Sequence, residues 1–279
     1  MEHYQTLTRR NTGYVPPAVQ HRIRTTHLLV AGCGIGSTFA ETAVRLGFEH
    51  LTLADGDVVD SHNLNRQAFA TADVGRPKVS ALADRLRAIN PEVKIREVAA
   101  NLGAANTQEL VAAADLVFDT IDFLDLAAII GLHDTCRSLH KPAITALAVG
   151  WGAGCIYFPP DSDWPFRRVF GIADQAAVDD VSYAAAFAPL VQRLADRLDP
   201  RVVEVVAQAL TVMADGAPCP ASQVAPGAAA VGALAATLVV RLLAGEPVTP
   251  APHLLVMDLP TVLAGPGIDL SASPADGRG

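Results

Sequence analysis

Short apolar runs recur along this chain, separated by segments in which apolar positions return every three or four residues. The runs at 27–32 (HLLVAG), 50–55 (HLTLAD), 93–99 (VKIREVA), 115–120 (DLVFDT) and 142–149 (PAITALAV) have the length and β-branched content of buried strands. Between them, 37–47, 76–91, 106–114 and 123–140 carry helical spacing. Gly47 stops the first of these helices; Pro77 stands in the first turn of the second and Pro91 just beyond its end. A strict strand–helix alternation through residue 149 predicts an α/β fold, a Rossmann-like, doubly wound and mostly parallel sheet.

Beyond Gly150 the alternation weakens. The run 152–158 (GAGCIYF) reads as an added, antiparallel strand, and 163–171 (DWPFRRVFG) as a loop. Residues 159–220 read as irregularly helical, 224–245 as a helix of small residues, and 253–259 as a last strand. In the small-residue helix, Gly232 and Ala236 permit close backbone packing. The division expected is an N-terminal arm (1–26), a nucleotide-binding core (27–158), a helical and antiparallel extension packed on the same domain (159–267) and a flexible tail (268–279).

Composition narrows the classes. Half of the chain is hydrophobic (51%) and only 5% aromatic, which suits a core of Ala, Val, Leu and Ile beneath parallel strands. The net charge of −8, with no long basic block, argues against general nucleic-acid binding. Cys33, Cys136, Cys155 and Cys219 form no C-x-x-C pair, so neither a disulfide framework nor a structural zinc site is expected. The first residues have no apolar run behind their charges, and 224–240 reads as a buried helix rather than a membrane span. A cytoplasmic protein without membrane attachment is the expectation.

The candidate chemistry begins at the glycine turn VAGCGIGS, between the first strand and the first helix. There Gly32, Gly34 and Gly36 let an anion approach unpaired N–H groups at a helix start. Asp55 closes the second strand, where an acid meets a ribose hydroxyl in dinucleotide-binding folds. Turn and acid together say adenine nucleotide, and leave NAD and ATP open. The stretch DGDVVDSHNLNRQAF, followed by GRPK, concentrates acids, amides and cations in one connection of a chain with only 18% charged residues. Transfer at the α-phosphate of ATP needs such an array. Cations (Arg66, Lys78) and hydrogen-bond donors (Asn63, Gln67) face the phosphate oxygens, and Asp122 stands where it can hold Mg²⁺.

In this ordered set the sequence resembles the ThiF/MoeB/HesA adenylating enzymes, relatives of the ubiquitin-activating enzymes. The resemblance rests on AGCGIGS, DGDVV, SHNLNRQ, GRPK and AINP, and runs from about residue 4 to 158. It implies an adenylyltransferase that activates a carboxylate as acyl-AMP with release of pyrophosphate. The substrate would be the C-terminus of a ubiquitin-like protein, a peptide or a small acid. It also implies roles: Asp55 on the ribose, Asp57 supporting the loop or metal, and Asn63, Arg66 and Gln67 on phosphates. Lys78 would meet the α-phosphate or adenylate, and Asp122 the Mg²⁺. Arg10 matches an arginine that reaches into a neighbouring subunit's site, which implies a homodimer.

The sequence also departs from the family pattern. Ala31 and Cys33 stand where glycines are usual, with Cys33 expected to be a packing residue, and Phe123 follows Asp122 in place of asparagine. Cys219, ahead of the small-residue helix, is a candidate thiol nucleophile, against direct attack on the adenylate by an external amine or thiol. Other readings are a degenerate nucleotide-binding scaffold of an activating complex and an NAD-dependent oxidoreductase. Adenylation in tRNA modification belongs to the same fold group, but the acidic balance opposes it. Helix-capping by Asp122, and solvated roles for Lys78 and Arg10, are the structural alternatives.

Overall fold

In β1 (His27–Ala31) the apolar residues divide between two faces, Leu28 and Val30 into one core and Leu29 and Ala31 into the other. A strand apolar at every position must be covered on both sides. The computed structural model describes residues 3–174, 176, 186, 189, 192–193, 198–214 and 222–268. In it β1 is an interior strand, between β2 and β4, of a sheet ordered β3-β2-β1-β4-β5-β6-β7. The strands are β2 (His50–Ala54), β3 (Lys94–Val98), β4 (Leu116–Asp119), β5 (Ala143–Val149), β6 (Gly152–Phe158) and β7 (Leu255–Met257). β1 to β5 pair in parallel, while β6 and β7 join antiparallel, as expected for the strand at 152–158.

The helices are α1 (His3–Leu7), α2 (Pro17–Thr25), α3 (Gly36–Leu46), α4 (Lys78–Ile89), α5 (Thr107–Ala113) and α6 (Leu126–Ser138). After β6 come α7 (Phe166–Val169), α8 (Pro200–Ala214), α9 (Ala225–Ala244) and, after β7, α10 (Leu259–Ala264). The first core lies under α3, α4 and α9, and the second under α5, α6 and α7. Phe39 of α3 stacks on Phe118 of β4 with ring centroids 3.9 Å apart. Gly47 ends α3 in the left-handed region (φ 107), the stop its sequence signals.

The 20-residue α9 is long and apolar enough to cross a membrane, yet its small face packs on the sheet and on α3. A Cβ on Gly232 would lie 2.8 Å from the Thr38 carbonyl oxygen, so the close approach expected there is real. The N-terminal arm is docked on the end of α3: Asn11 Nδ2 and Gln20 Nε2 both donate to the Leu46 carbonyl (3.0 and 2.9 Å).

Three local expectations change. Residues 163–171, read as a loop, contain the helix α7, because Phe166 and Phe170 are buried and Phe166 stacks on His133 at 4.5 Å. The helix read from residue 123 begins instead at Leu126, because the Asp125 carboxylate caps it by accepting from Ala128 N (3.0 Å). Pro77 is the residue before α4 rather than within its first turn. Cys219 and the tail beyond residue 268 lie outside the described residues, as does part of 159–220.

Candidate active site

The strand order reverses across β1, whose neighbours β2 and β4 lead their connections to opposite sides. In doubly wound sheets this switch point leaves a crevice at the carboxyl ends of the strands. A cavity of about 310 Å³ opens there, lined among others by Gly32, Gly34, Asp55, Asn63, Arg66, Gln67, Lys78 and Asp122. Residues from four separate stretches of the sequence thus meet around one cavity. A second lobe of about 360 Å³ shares Gly32, Asp55, Asp57 and Asp122 and extends to Asn101, Leu102 and Ala128.

The glycines divide their work. Gly32 has φ +88, and a Cβ on it would lie 2.4 Å from the Thr120 carbonyl oxygen, so no other residue fits without displacing that strand end. Gly34 lines the cavity and faces Gln67. Gly36 does not line it; its Cα side is closed by Thr120 Oγ1, 2.4 Å from where a Cβ would stand. Cys33 is fully buried and its thiol pKa is pushed well up by desolvation and then by Asp55, consistent with a packing role.

Asp55 follows β2 and is fixed by backbone donors: Cys33 N at 2.6 Å to one carboxylate oxygen and Asp57 N at 2.8 Å to the other. Burial raises its pKa, while Lys78 and the two backbone N–H groups pull it down. Lys78 opens α4; its backbone N donates to the Asp57 carbonyl, and Val58 pairs with Pro77, so the loop after β2 lies over the helix start. The Lys78 ammonium is buried and donates to Asp57 Oδ2 at 2.7 Å. Asp57 therefore supports the loop through Lys78.

Asn63 is buried and spends its Oδ1 on Asp60 N (3.0 Å), closing a capping box over the turn at Ser61–Asn63. Gln67 lines the cavity, and its buried Oε1 has no hydrogen-bond partner. Arg66 is half-buried; desolvation lowers its pKa and Asp122 opposes that shift. Its Nε donates to Gln223 Oε1, and its Nη1 to the carbonyl of His62 (3.0 Å) and to Asn65 Oδ1 (2.9 Å).

Asp122 lies in the turn after β4, its Oδ1 accepting from Leu124 N (3.0 Å), and it lines both lobes. Since Asp125 caps α6, Asp122 is not needed there. Among the described residues no group of three or more His, Cys, Asp or Glu is placed to hold a metal alone. One carboxylate fits Mg²⁺ of the kind that arrives with phosphates and keeps much of its own water. Arg10 sits on the exposed turn Arg9–Asn11 and does not line its own chain's cavity.

Sequence reading missed Thr120, whose hydroxyl donates to the Gly32 carbonyl (2.8 Å), and Gln223, which reaches Arg66 from 157 residues away. It also missed the buried set His133–Asp119–Thr145: His133 Nε2 lies 3.0 Å from Asp119 Oδ2, and the Thr145 hydroxyl donates to that same oxygen (2.9 Å). Asp119 Oδ1 accepts from Ile121 N (3.1 Å), so this set braces the turn that carries Asp122.

Among proteins of known role, the chain is 33% identical over 143 residues to the sulfur carrier protein ThiS adenylyltransferase of Escherichia coli (strain K12), covering 50% of this chain and 56% of the relative. It is 30% identical over 175 residues to the molybdopterin-synthase adenylyltransferase of the same organism, covering 62% and 69%. The chain spans about half the length of some curated relatives it matches, 56% of one and 48% of another. Its fold is similar to that of E. coli MccB crystallised with ATP, with a TM-score of 0.59 and 19% identity, covering 91% of this chain and 68% of that one. Residues 8–273 match the ThiF family, and with that match over nearly its whole length the chain belongs to the ThiF family.

Proposed function

We propose that this protein is an ATP-dependent adenylyltransferase that activates a carboxylate. The observation that carries this reading is the convergence of Asp55, Arg66, Lys78 and Asp122 on one cavity at the sheet's switch point. The relatives' names support it, since both curated E. coli relatives are called adenylyltransferases. The adenine base would occupy the lobe bounded by Asn101, Leu102 and Ala128, with the ribose hydroxyls donating to Asp55. The phosphates would run toward Gly34, Asn63, Gln67 and Arg66.

In the reaction, a carboxylate oxygen of the substrate attacks the α-phosphorus, the bond from that phosphorus to the bridging oxygen breaks, and pyrophosphate leaves with the electron pair. The carboxylate is already ionised near neutrality, so no general base is required. The protein supplies alignment and a fixed positive field. Lys78 Nζ would meet the α-phosphate oxygens as negative charge gathers there, and Arg66 would hold the leaving pyrophosphate. Asp122 would hold Mg²⁺, which supplies charge neutralisation to the phosphates.

The substrate class we propose is a chain end, the C-terminal carboxylate of a small carrier protein or peptide, or else a small acid. A homodimer is proposed with Arg10 reaching the partner's cavity, supported by its exposed turn; a cytoplasmic setting would supply the ATP. The test is exchange of radiolabelled pyrophosphate into ATP with Mg²⁺, with and without pooled carboxylates and small proteins, comparing Lys78→Ala. Substrate-dependent exchange lost in the variant supports adenylation. Tight ATP binding without exchange across the pools favours a nucleotide-binding scaffold. Rescue of activity on mixing Arg10→Ala with Lys78→Ala subunits would support shared sites, and its absence in a proven dimer would remove that role from Arg10.

A further inference from the structure

We infer that Gln223 is a positioning residue of the nucleotide site, holding the Arg66 guanidinium with a neutral acceptor so that its full charge faces the pyrophosphate end of ATP. This rests on the ATP reading above. The two lobes set the direction of the nucleotide: Asp55 and Asp122 line both, whereas Arg66, Asn63 and Gln223 line only the lobe away from Leu102 and Ala128. With the ribose at Asp55 and the base beside Leu102, the far lobe is left for the terminal phosphates.

The cations of that lobe are held in different ways. Lys78 is paired with Asp57 at 2.7 Å. Arg66 meets no carboxylate at ion-pair distance among the described residues. Its three acceptors, Gln223 Oε1, the His62 carbonyl and Asn65 Oδ1, are all uncharged. An aspartate or glutamate in their place would orient the arginine equally well but would cancel its charge. Amide and carbonyl oxygens orient it and leave the field intact, which is what a preformed anion site requires. These bonds use Nε and Nη1, leaving the Nη2 edge for a ligand.

The acceptor is also held rigidly. The Gln223 carbonyl accepts from Asn65 Nδ2 (3.0 Å), so main chain and side chain both tie Gln223 to the Arg66 loop. Just beyond, α9 seats its first turn on the sheet so closely that a Cβ on Gly227 would lie 2.2 Å from the Gly150 carbonyl oxygen. Arg66 is thereby referenced to the sheet from outside its own loop.

The test is calorimetric binding of ATP, pyrophosphate and AMP to the full chain and to Gln223→Ala and Gln223→Glu. We expect Gln223→Ala to weaken ATP and pyrophosphate several-fold, by roughly 3- to 10-fold, and to leave AMP unchanged, since one neutral contact that orients the arginine is lost. Gln223→Glu should weaken both more than Gln223→Ala does, although it forms the stronger bond to Arg66. In an Arg66→Ala background neither substitution should have further effect. Equal loss of AMP and pyrophosphate binding, or a Gln223→Glu protein that binds ATP as well as wild type, would overturn the assignment while leaving the ATP site standing. A wild-type protein of native circular dichroism that binds none of the three would overturn the ATP reading, and this inference with it.

Discussion

Lys78 and Asp57 form an unequal pair: the ammonium is buried, the carboxylate 2.7 Å away is largely exposed, and the bond between them spans the loop leaving β2. Such a carboxylate offsets the cost of burying the ammonium and can yield to a phosphate oxygen when a nucleotide arrives. Lys78→Ala is expected to lower pyrophosphate exchange by roughly 100-fold or more, the loss typical of removing a donor to developing charge. Asp57→Asn should retain exchange within about tenfold and cost about 1 kcal/mol of stability, because the exposed partner is replaced by a weaker acceptor. Exchange kinetics and urea denaturation of both variants check the contrast.

The glycine turn separates conformation from contact. Gly32→Ala combines a left-handed backbone with a Cβ 2.4 Å from the Thr120 carbonyl oxygen, and should cost about 2 kcal/mol or more. Gly34→Ala meets only the end of the Gln67 side chain, at 3.2 Å, and should weaken ATP binding with much less loss of stability. Denaturation midpoints beside ATP titrations distinguish the two.

Asp122→Asn should lower exchange and raise the Mg²⁺ concentration needed for half-maximal rate, since Asp122 is a carboxylate that lines both lobes of the site. ATP binding without Mg²⁺ should survive. A variant with an unaltered Mg²⁺ dependence would remove the metal role from Asp122.

Burial sets the thiols' behaviour. The Cys136 and Cys155 pKa values are pushed up to about 12, by burial foremost in each, from an ordinary value of 9.0. Between pH 9 and 12 the folded chain keeps protons that the unfolded chain has released, so this contribution to stability is full below pH 9 and lost as pH rises toward 12. The denaturation midpoint should therefore fall between pH 8.5 and 10.5, and fall less in a Cys136→Ser, Cys155→Ser protein. In the native protein at pH 8, iodoacetamide should spare Cys33, Cys136 and Cys155, all buried; rapid labelling of any of them would contradict that burial.

The parallel half of the sheet is legible in the sequence because β1, β2, β4 and β5 are buried on both faces and are therefore mostly apolar. β3 was legible for a different reason, its β-branched Ile95 and Val98 between charged positions. The site's main-chain logic could be read because cavity-lining residues follow strand ends in the chain: Asp55 after β2, Asp122 after β4. Gln223 could not be, since only the fold brings α9 beside the Arg66 loop. The aromatic segment at 163–171 was misread because its pattern is too short for a helical period. Its structure comes from Phe166 stacking on His133 of α6 and Phe170 packing against Phe166.

The two outer strands have a consequence for behaviour in concentrated solution. A sheet edge is a row of unpaired backbone groups that can recruit a strand from another molecule. Here one edge, β3, shows Lys94, Arg96 and Glu97 to solvent, and ion pairs from Arg87 to Glu97 and from Arg96 to Glu109 brace that flank. The other, β7, is only three residues long and gives way at once to α10. Among the described residues neither margin offers a flat, apolar stretch on which a second sheet could grow, so both edges oppose the stacking of this chain into fibres.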